Sequence, residues 1–183
     1  MMKKLLVLLI ALVGTTLAQG QEIKWMSINE ALAAQKKNPK KIVMDVYTNW
    51  CGPCKMMDKN TFSNADVAAY VNENFYPVKF NAEGNEEVKY MDKTFKNPNY
   101  DPKKANTRSA PHMFTYALGV KAYPSLVYFD EAGQYIEAIP GYLQPNQLEL
   151  YLKLISSDDY KDITSKEAWE EYQENFEPTF KAE

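Results

Sequence analysis

Cys51 and Cys54 are the only cysteines of the chain and stand three residues apart, with Gly52 and Pro53 between them. A disulfide that serves as architecture closes a long loop, because its effect grows with the length of chain it constrains. One that spans three residues adds little, so the spacing points to thiol chemistry. The residues before the pair, Lys41 to Thr48, read as a mostly apolar buried strand, and those after it read as a helix. At such a junction Cys51 falls on a helix N-terminus, where free N–H groups and the helix dipole favour thiolate over thiol. Cys54, one turn deeper, is expected to be the more shielded and to attack a mixed disulfide formed at Cys51. Pro53 fixes the turn where no hydrogen bond is lost. Gly52 lets another backbone come close.

Rival chemistries are weaker. Zinc wants four ligands, and two thiolates with the single histidine, His112, fall short. Covalent haem attachment needs His directly after the second cysteine, where Lys55 stands. A copper(I) site at the two thiolates stays open as an alternative.

The elements that must position the pair follow from local pattern. Ile23 to Met26 reads as a short first strand, and Ser27 with Glu30 as a capping box opening a helix towards Lys37. After the cysteines a helix runs towards Asn72, and Phe75 to Phe80 is a strand. Glu86 to Phe95 reads as a helix, Lys96 to Ser109 as an exposed loop, and Pro111 to Leu118 as a helix entered at the proline. Ser125 to Asp130 and Gln134 to Ile139 form a hairpin about Glu131-Ala132-Gly133, and Pro145 to Ile155 is a helix. Thr164 with Glu167 offers a second capping box for a last helix to Phe176. Its Trp169, Tyr172 and Phe176 make a stripe that docks on the body of the protein. Strands that alternate with helices and then pair as a hairpin imply an α/β fold with a mixed sheet covered on both faces.

Residues 1–18 read as a secretory signal peptide: Lys3 and Lys4, an apolar run from Leu5 to Val13, and the small-x-small site Thr16-Leu17-Ala18. The apolar run is too short to span a bilayer, which takes about 20 residues. The formal charge of the whole chain is −3, and loss of Lys3 and Lys4 leaves 19 basic against 24 acidic residues, a net −5. No basic block suggests nucleic acid. The expectation is an exported protein that is not membrane-embedded after cleavage, periplasmic if the source is Gram-negative, or else secreted.

Asn49-Trp50-Cys51-Gly52-Pro53-Cys54-Lys55 resembles the thioredoxin active site, and the similarity extends over about residues 25–156. Asp45, six residues ahead of Cys51, matches the family's buried acid. Lys79 matches the lysine on the next strand. Tyr123-Pro124 matches the cis-proline loop, and Gly141 the glycine of the last strand region. The resemblance implies a thioredoxin fold, a mixed sheet of four to five strands flanked by helices, and protein dithiol–disulfide exchange without a dissociable cofactor or metal. It implies that Cys51 is the nucleophile and Cys54 the resolving thiol, that Asp45 takes the Cys54 proton, and that Lys79 tunes Asp45. Trp50 would shield the site, while Tyr123, Pro124 and Gly141 would hold an extended substrate as an added strand.

The chain also departs from a minimal thioredoxin. It divides into a thioredoxin-like domain at 21–156, with an insertion at about 84–110 before the cis-proline loop, and a C-terminal helical extension at 157–183. Tyr123 replaces a small aliphatic residue. The leader and the insertion resemble exported thioredoxin-like domains that take electrons from membrane reductases. Gly-Pro between the cysteines resembles reducing thioredoxins, with potentials near about −270 mV, rather than disulfide donors near about −120 mV. A reductase acting on protein disulfides, fed by a membrane electron donor, is the favoured reading. The alternatives are an oxidase or isomerase, and a non-catalytic module that holds a substrate or copper(I).

Overall fold

The computed structural model describes residues 22–181, so the signal peptide read at residues 1–18 lies outside the described residues. Strand β1 (Lys41–Tyr47) is the spine. β2 (Phe75–Asn81) runs parallel to it on one side. β5 (Ser125–Phe129) runs antiparallel on the other, and β6 (Tyr135–Pro140) pairs antiparallel with β5. The order is β2-β1-β5-β6. The period of two along β1 divides the core. Ile42, Met44 and Val46 face a layer with Ile28, Phe80, Phe114 and Phe129. Val43 faces the other layer with Phe75, Tyr128, Leu148 and Leu152. Asp45 shares the Val43 face, so the alternation carries a carboxylate into the interior.

Helix α1 (Ile28–Gln35) opens on the Ser27–Glu30 capping box, with both reciprocal bonds made. The strand expected before it reduces to one residue: Met26 bridges to Val78 at the outer edge of β2. The helix after the cysteines is not continuous to Asn72. It divides into α2 (Gly52–Met57), a wide π-turn (Asp58–Phe62) and α3 (Ala65–Asn74). Asn64 restarts the chain by accepting the N–H groups of Asp66 and Val67. Thr61 holds the wide turn by donating its hydroxyl to Leu143 O at 2.6 Å.

The segment 86–95 is a β-hairpin, not a helix: β3 (Val88–Tyr90) pairs with β4 (Lys93–Phe95). Its two-residue turn sets both Met91 and Asp92 at positive φ, +48° and +58°. Such turns usually carry Asn-Gly, and Met-Asp gives no such sign. Tertiary contacts decide the outcome. Tyr90 and Phe95 pack on Phe114, 5.4 and 5.3 Å between ring centres. The Asn29 amide accepts from Lys89 N and donates to Glu87 O.

Helix α4 (Met113–Ala117) is capped by the His112 ring, which accepts Phe114 N–H, so Pro111 lies outside it. α5 (Pro145–Ser156) covers the second layer. α6 (Lys166–Asn175) is capped by Ser165, one residue later than the Thr164 box, because the Ser165 hydroxyl is the one that accepts Ala168 N–H. Trp169 stacks on Tyr151 at 5.8 Å, and Tyr172 and Phe176 continue the stack. No helix among the described residues is long and apolar enough to cross a membrane.

Candidate active site

β1 delivers the chain to Thr48, whose carbonyl accepts Cys51 N–H at 3.2 Å and closes a turn. Cys51 then caps α2, its sulfur accepting Cys54 N–H at 3.1 Å, with Gly52 and Pro53 exposed in the first turn. The two sulfurs are joined, with 5.3 Å between the Cα atoms. Both cysteines are buried to 3%. The expected contrast, with Cys54 the more shielded, is absent: the two cysteines are covered to the same extent. Lys55 points outward from α2.

Asp45, 1% exposed, and Lys79 stand opposite each other across the parallel β1–β2 register, with Lys79 Nζ 2.7 Å from Asp45 Oδ2. Burial pushes the Asp45 carboxyl up to about 6; the Lys79 cation counters only part of that. Asp45 Oδ1 has no donor among the described residues. Burial opposes the Lys79 charge, but Asp45 and Asp58 outweigh it and hold Lys79 above its ordinary range. Asp58 also pairs with Lys79. Trp25, Tyr47 and Phe62 lay their faces around the same ammonium at 5.0, 5.1 and 5.1 Å. Asp58 and this aromatic cage were not legible as site features. One sign of Asp58 was its place four residues after Cys54, one helical turn on.

On the far side of the cysteines, Tyr123–Pro124 is a cis peptide bond. Pro124 O accepts Gly141 N–H at 2.8 Å, and Gly141 has φ +104°, backbone that glycine adopts freely. Pro124 is buried, Tyr123 half-buried. Burial, followed by the nearby Glu83 charge, pushes the Tyr123 hydroxyl up to about 12.

Trp50 and Tyr123 meet edge to face at 6.2 Å, so the residue before Cys51 touches the residue before the cis-proline. The Trp50 indole N–H donates to Glu83 Oε2 at 2.8 Å, and Ser109 N–H donates to the same oxygen at 3.0 Å. The Arg108 guanidinium lies over the Trp50 ring at 4.7 Å, and Asn49 donates its amide to Ala105 O at 2.8 Å. The segment 84–110 thus returns to the cysteines and walls one side of an open cleft of about 810 Å³, lined by Trp50, Cys51, Arg108, Tyr116, Lys121 and Tyr123 among others. Asn97 ties its root, donating to the carbonyls of Glu83, Gly84 and Ala110. Glu83 and Arg108 escaped the sequence reading, although Arg108 is the only arginine among 21 basic residues. His112 is fully buried, its Nε2 2.7 Å from Glu86 O. Burial lowers its pKa, and it serves the fold. Among the described residues no group of three or more His, Cys, Asp or Glu is placed to hold a metal.

A redox-active cysteine pair on a strand-to-helix junction, beside a cis-proline loop in a β2-β1-β5-β6 sheet, defines a thioredoxin-fold oxidoreductase. Residues 28–156 match the thioredoxin-like domain model, and the chain belongs to that family. Similar solved structures include a thioredoxin-fold protein from Helicobacter pylori at 20% identity and TM-score 0.57, covering 75% of this chain and 82% of that one. The DsbH oxidoreductase is 18% identical at TM-score 0.52, covering 78% and 88%. A protein from Bacteroides thetaiotaomicron, provisionally assigned as a disulphide-isomerase, is 26% identical at TM-score 0.52, covering 75% and 95%. Among curated proteins none matches this sequence.

Proposed function

We propose that this protein reduces disulfides of protein substrates outside the cytoplasm. The observation that carries the reading is the buried Asp45–Lys79 pair on the two strands that lead to and flank the Cys51–Cys54 group. In the reduced protein the Cys51 thiolate attacks one sulfur of a substrate disulfide, forms a mixed disulfide and expels the other sulfur as thiolate. Cys54 then gives its proton to the Asp45 carboxylate, whose Oδ1 is free of donors among the described residues. The Cys54 thiolate attacks Cys51 Sγ, closes the Cys51–Cys54 disulfide and releases the second substrate thiolate. Two electrons pass from the protein's dithiol to the substrate, and a membrane dithiol donor returns them. Trp50 shields the pair. Tyr123, Pro124 and Gly141 present the edge along which an extended substrate lies, with Gly52 and Pro53 letting it approach. Lys55 adds a positive charge beside the thiolate. The Lys3–Lys4 leader, cleaved after Ala18, supports export to the periplasm or beyond.

The test is the reduction potential of the pair, measured by equilibration in dithiothreitol or glutathione buffers. A value below about −230 mV supports a reductase, and one above about −150 mV sinks it. The second outcome would favour oxidation or isomerisation, a reading to which the Bacteroides neighbour's assignment lends weight. Insulin reduction by dithiothreitol should be accelerated and should be abolished in Cys51→Ser. A module that merely holds substrate or copper(I) would show no turnover.

A further inference from the structure

The wall that the insertion builds beside Cys51 carries an excess of positive charge. From Asp101 to Ser109 the chain has Lys103, Lys104 and Arg108 against one acid, Asp101, whose carboxylate caps the turn by accepting Lys103 N–H, on a protein whose net charge is −3. Lys121 faces the same cleft from the loop that leads to Pro124. All four side chains are exposed, and none has a carboxylate within 4.0 Å among the described residues. By contrast Lys41, Lys79 and Lys153, elsewhere in the fold, are all paired. The acid that lines the cleft, Glu83, is 9% exposed and its Oε2 is taken by Trp50 and Ser109.

Arg108 is not merely solvated. It is held flat on Trp50 at 4.7 Å, and the backbone on either side is tied down at Ala105 and Ser109. A stacked guanidinium keeps its edge N–H groups free, in the planar fork that matches a carboxylate. The chain uses lysine for every other basic position and arginine only here.

We propose that this cationic rim selects disulfides flanked by acidic residues, with Arg108 pairing a carboxylate of the substrate strand that docks beside Cys51. The inference rests on the reading of Cys51 as the reacting residue. Lys103, Lys104 and Lys121 supply the field that draws in such segments, and Arg108 supplies the directed contact.

The test uses two peptides, each with one internal disulfide and alike except for Glu or Lys at three positions flanking it. Their kcat/KM for reduction is measured with the mature protein and dithiothreitol. A second measurement is binding of their serine-for-cysteine forms to the Cys51→Ser, Cys54→Ser protein. The acidic peptide should be favoured about tenfold or more at about 20 mM salt, and the preference should shrink at about 500 mM. Arg108→Glu should erase or invert it. Lys37→Glu, the same change of net charge at an exposed site outside the cleft, should keep it. Equal turnover of both peptides would overturn the inference and leave the reductase reading standing. A preference that survives Arg108→Glu would overturn the role of Arg108. Turnover of neither peptide with tighter binding of the acidic one would sink the reductase reading and uphold the selection. Neither turnover nor preferential binding would end both.

Discussion

Asp45 is a carboxyl group held where its charged form is disfavoured, and this has a measurable sign. Its pKa in the fold, about 6, lies above the ordinary 3.8. Its contribution to stability is therefore fully present below about 3.8 and is lost as pH rises through about 6. At 1.36 kcal/mol per unit, that rise amounts to about 3 kcal/mol against the fold at neutral pH. Asp45→Asn should therefore be more stable than wild type at pH 8 by up to that amount in urea denaturation, with the gap closing below about pH 4. The same variant should reduce insulin at least about tenfold more slowly at pH 7, as the proposed role of Asp45 as base for Cys54 requires. The wild-type rate should rise through about pH 6 as Asp45 ionises, and the variant should lack that limb. Asp58 sharpens the test. Its charge pushes the Asp45 pKa up and it shares Lys79, so Asp58→Ala leaves Lys79 to Asp45 alone. The rising limb should then move to lower pH. A limb that stays put would remove Asp58 from the proton circuit.

At the scale of elements, the insertion depends on one amide. Asn97, 8% exposed, bridges three carbonyls that begin and end the excursion. Asn97→Ala leaves those acceptors without their donor and should cost about 2–3 kcal/mol, from the price of buried unsatisfied groups. Because that cost falls on the root of the loop, limited proteolysis should cut within residues 98–110 faster in the variant. Unchanged cleavage would show that the Trp50, Glu83 and Asn49 contacts suffice to hold the wall. The hairpin teaches a related point. Its turn residues carry no turn signature, and Tyr90 and Phe95 are placed by Phe114 of α4, so what fixes the hairpin lies outside its own ten residues. The wide turn at Asp58–Phe62 is likewise set by a carbonyl 82 residues away.

At the scale of the molecule, the C-terminal segment is a working part of the fold. Glu149 is fully buried in α5 and accepts the N–H groups of Thr179 and Phe180, both at 2.7 Å, while Lys153 pairs with it at 2.6 Å. Phe180 meets Tyr70 of α3 at 5.7 Å. Ending the chain at Phe176 strips Glu149 of its backbone donors and should lower stability by about 2–4 kcal/mol, the range for leaving a buried charge under-partnered. The midpoint of urea denaturation reads this directly. None of these contacts touches the cysteine cleft, so insulin reduction at 25 °C should stay within about twofold of wild type.

The sequence by itself determined what local chemistry can write. It placed a cysteine pair at a strand-to-helix junction, showed an acid inside an apolar strand, and carried the cap at Ser27 and the spacing of the β5–β6 hairpin. Each is encoded within a few residues, where propensity and capping act. Only the tertiary structure decided that Asp58 and three aromatic rings share Lys79, that Glu83 joins Trp50 to the insertion, and that Arg108 lies on the ring beside Cys51. Those contacts join positions 17 to 58 residues apart, and no periodicity links them. They form because the sheet brings the ends of β1 and β2 together and the insertion has to close its loop over that end, where Trp50 offers a flat face and Glu83 an acceptor.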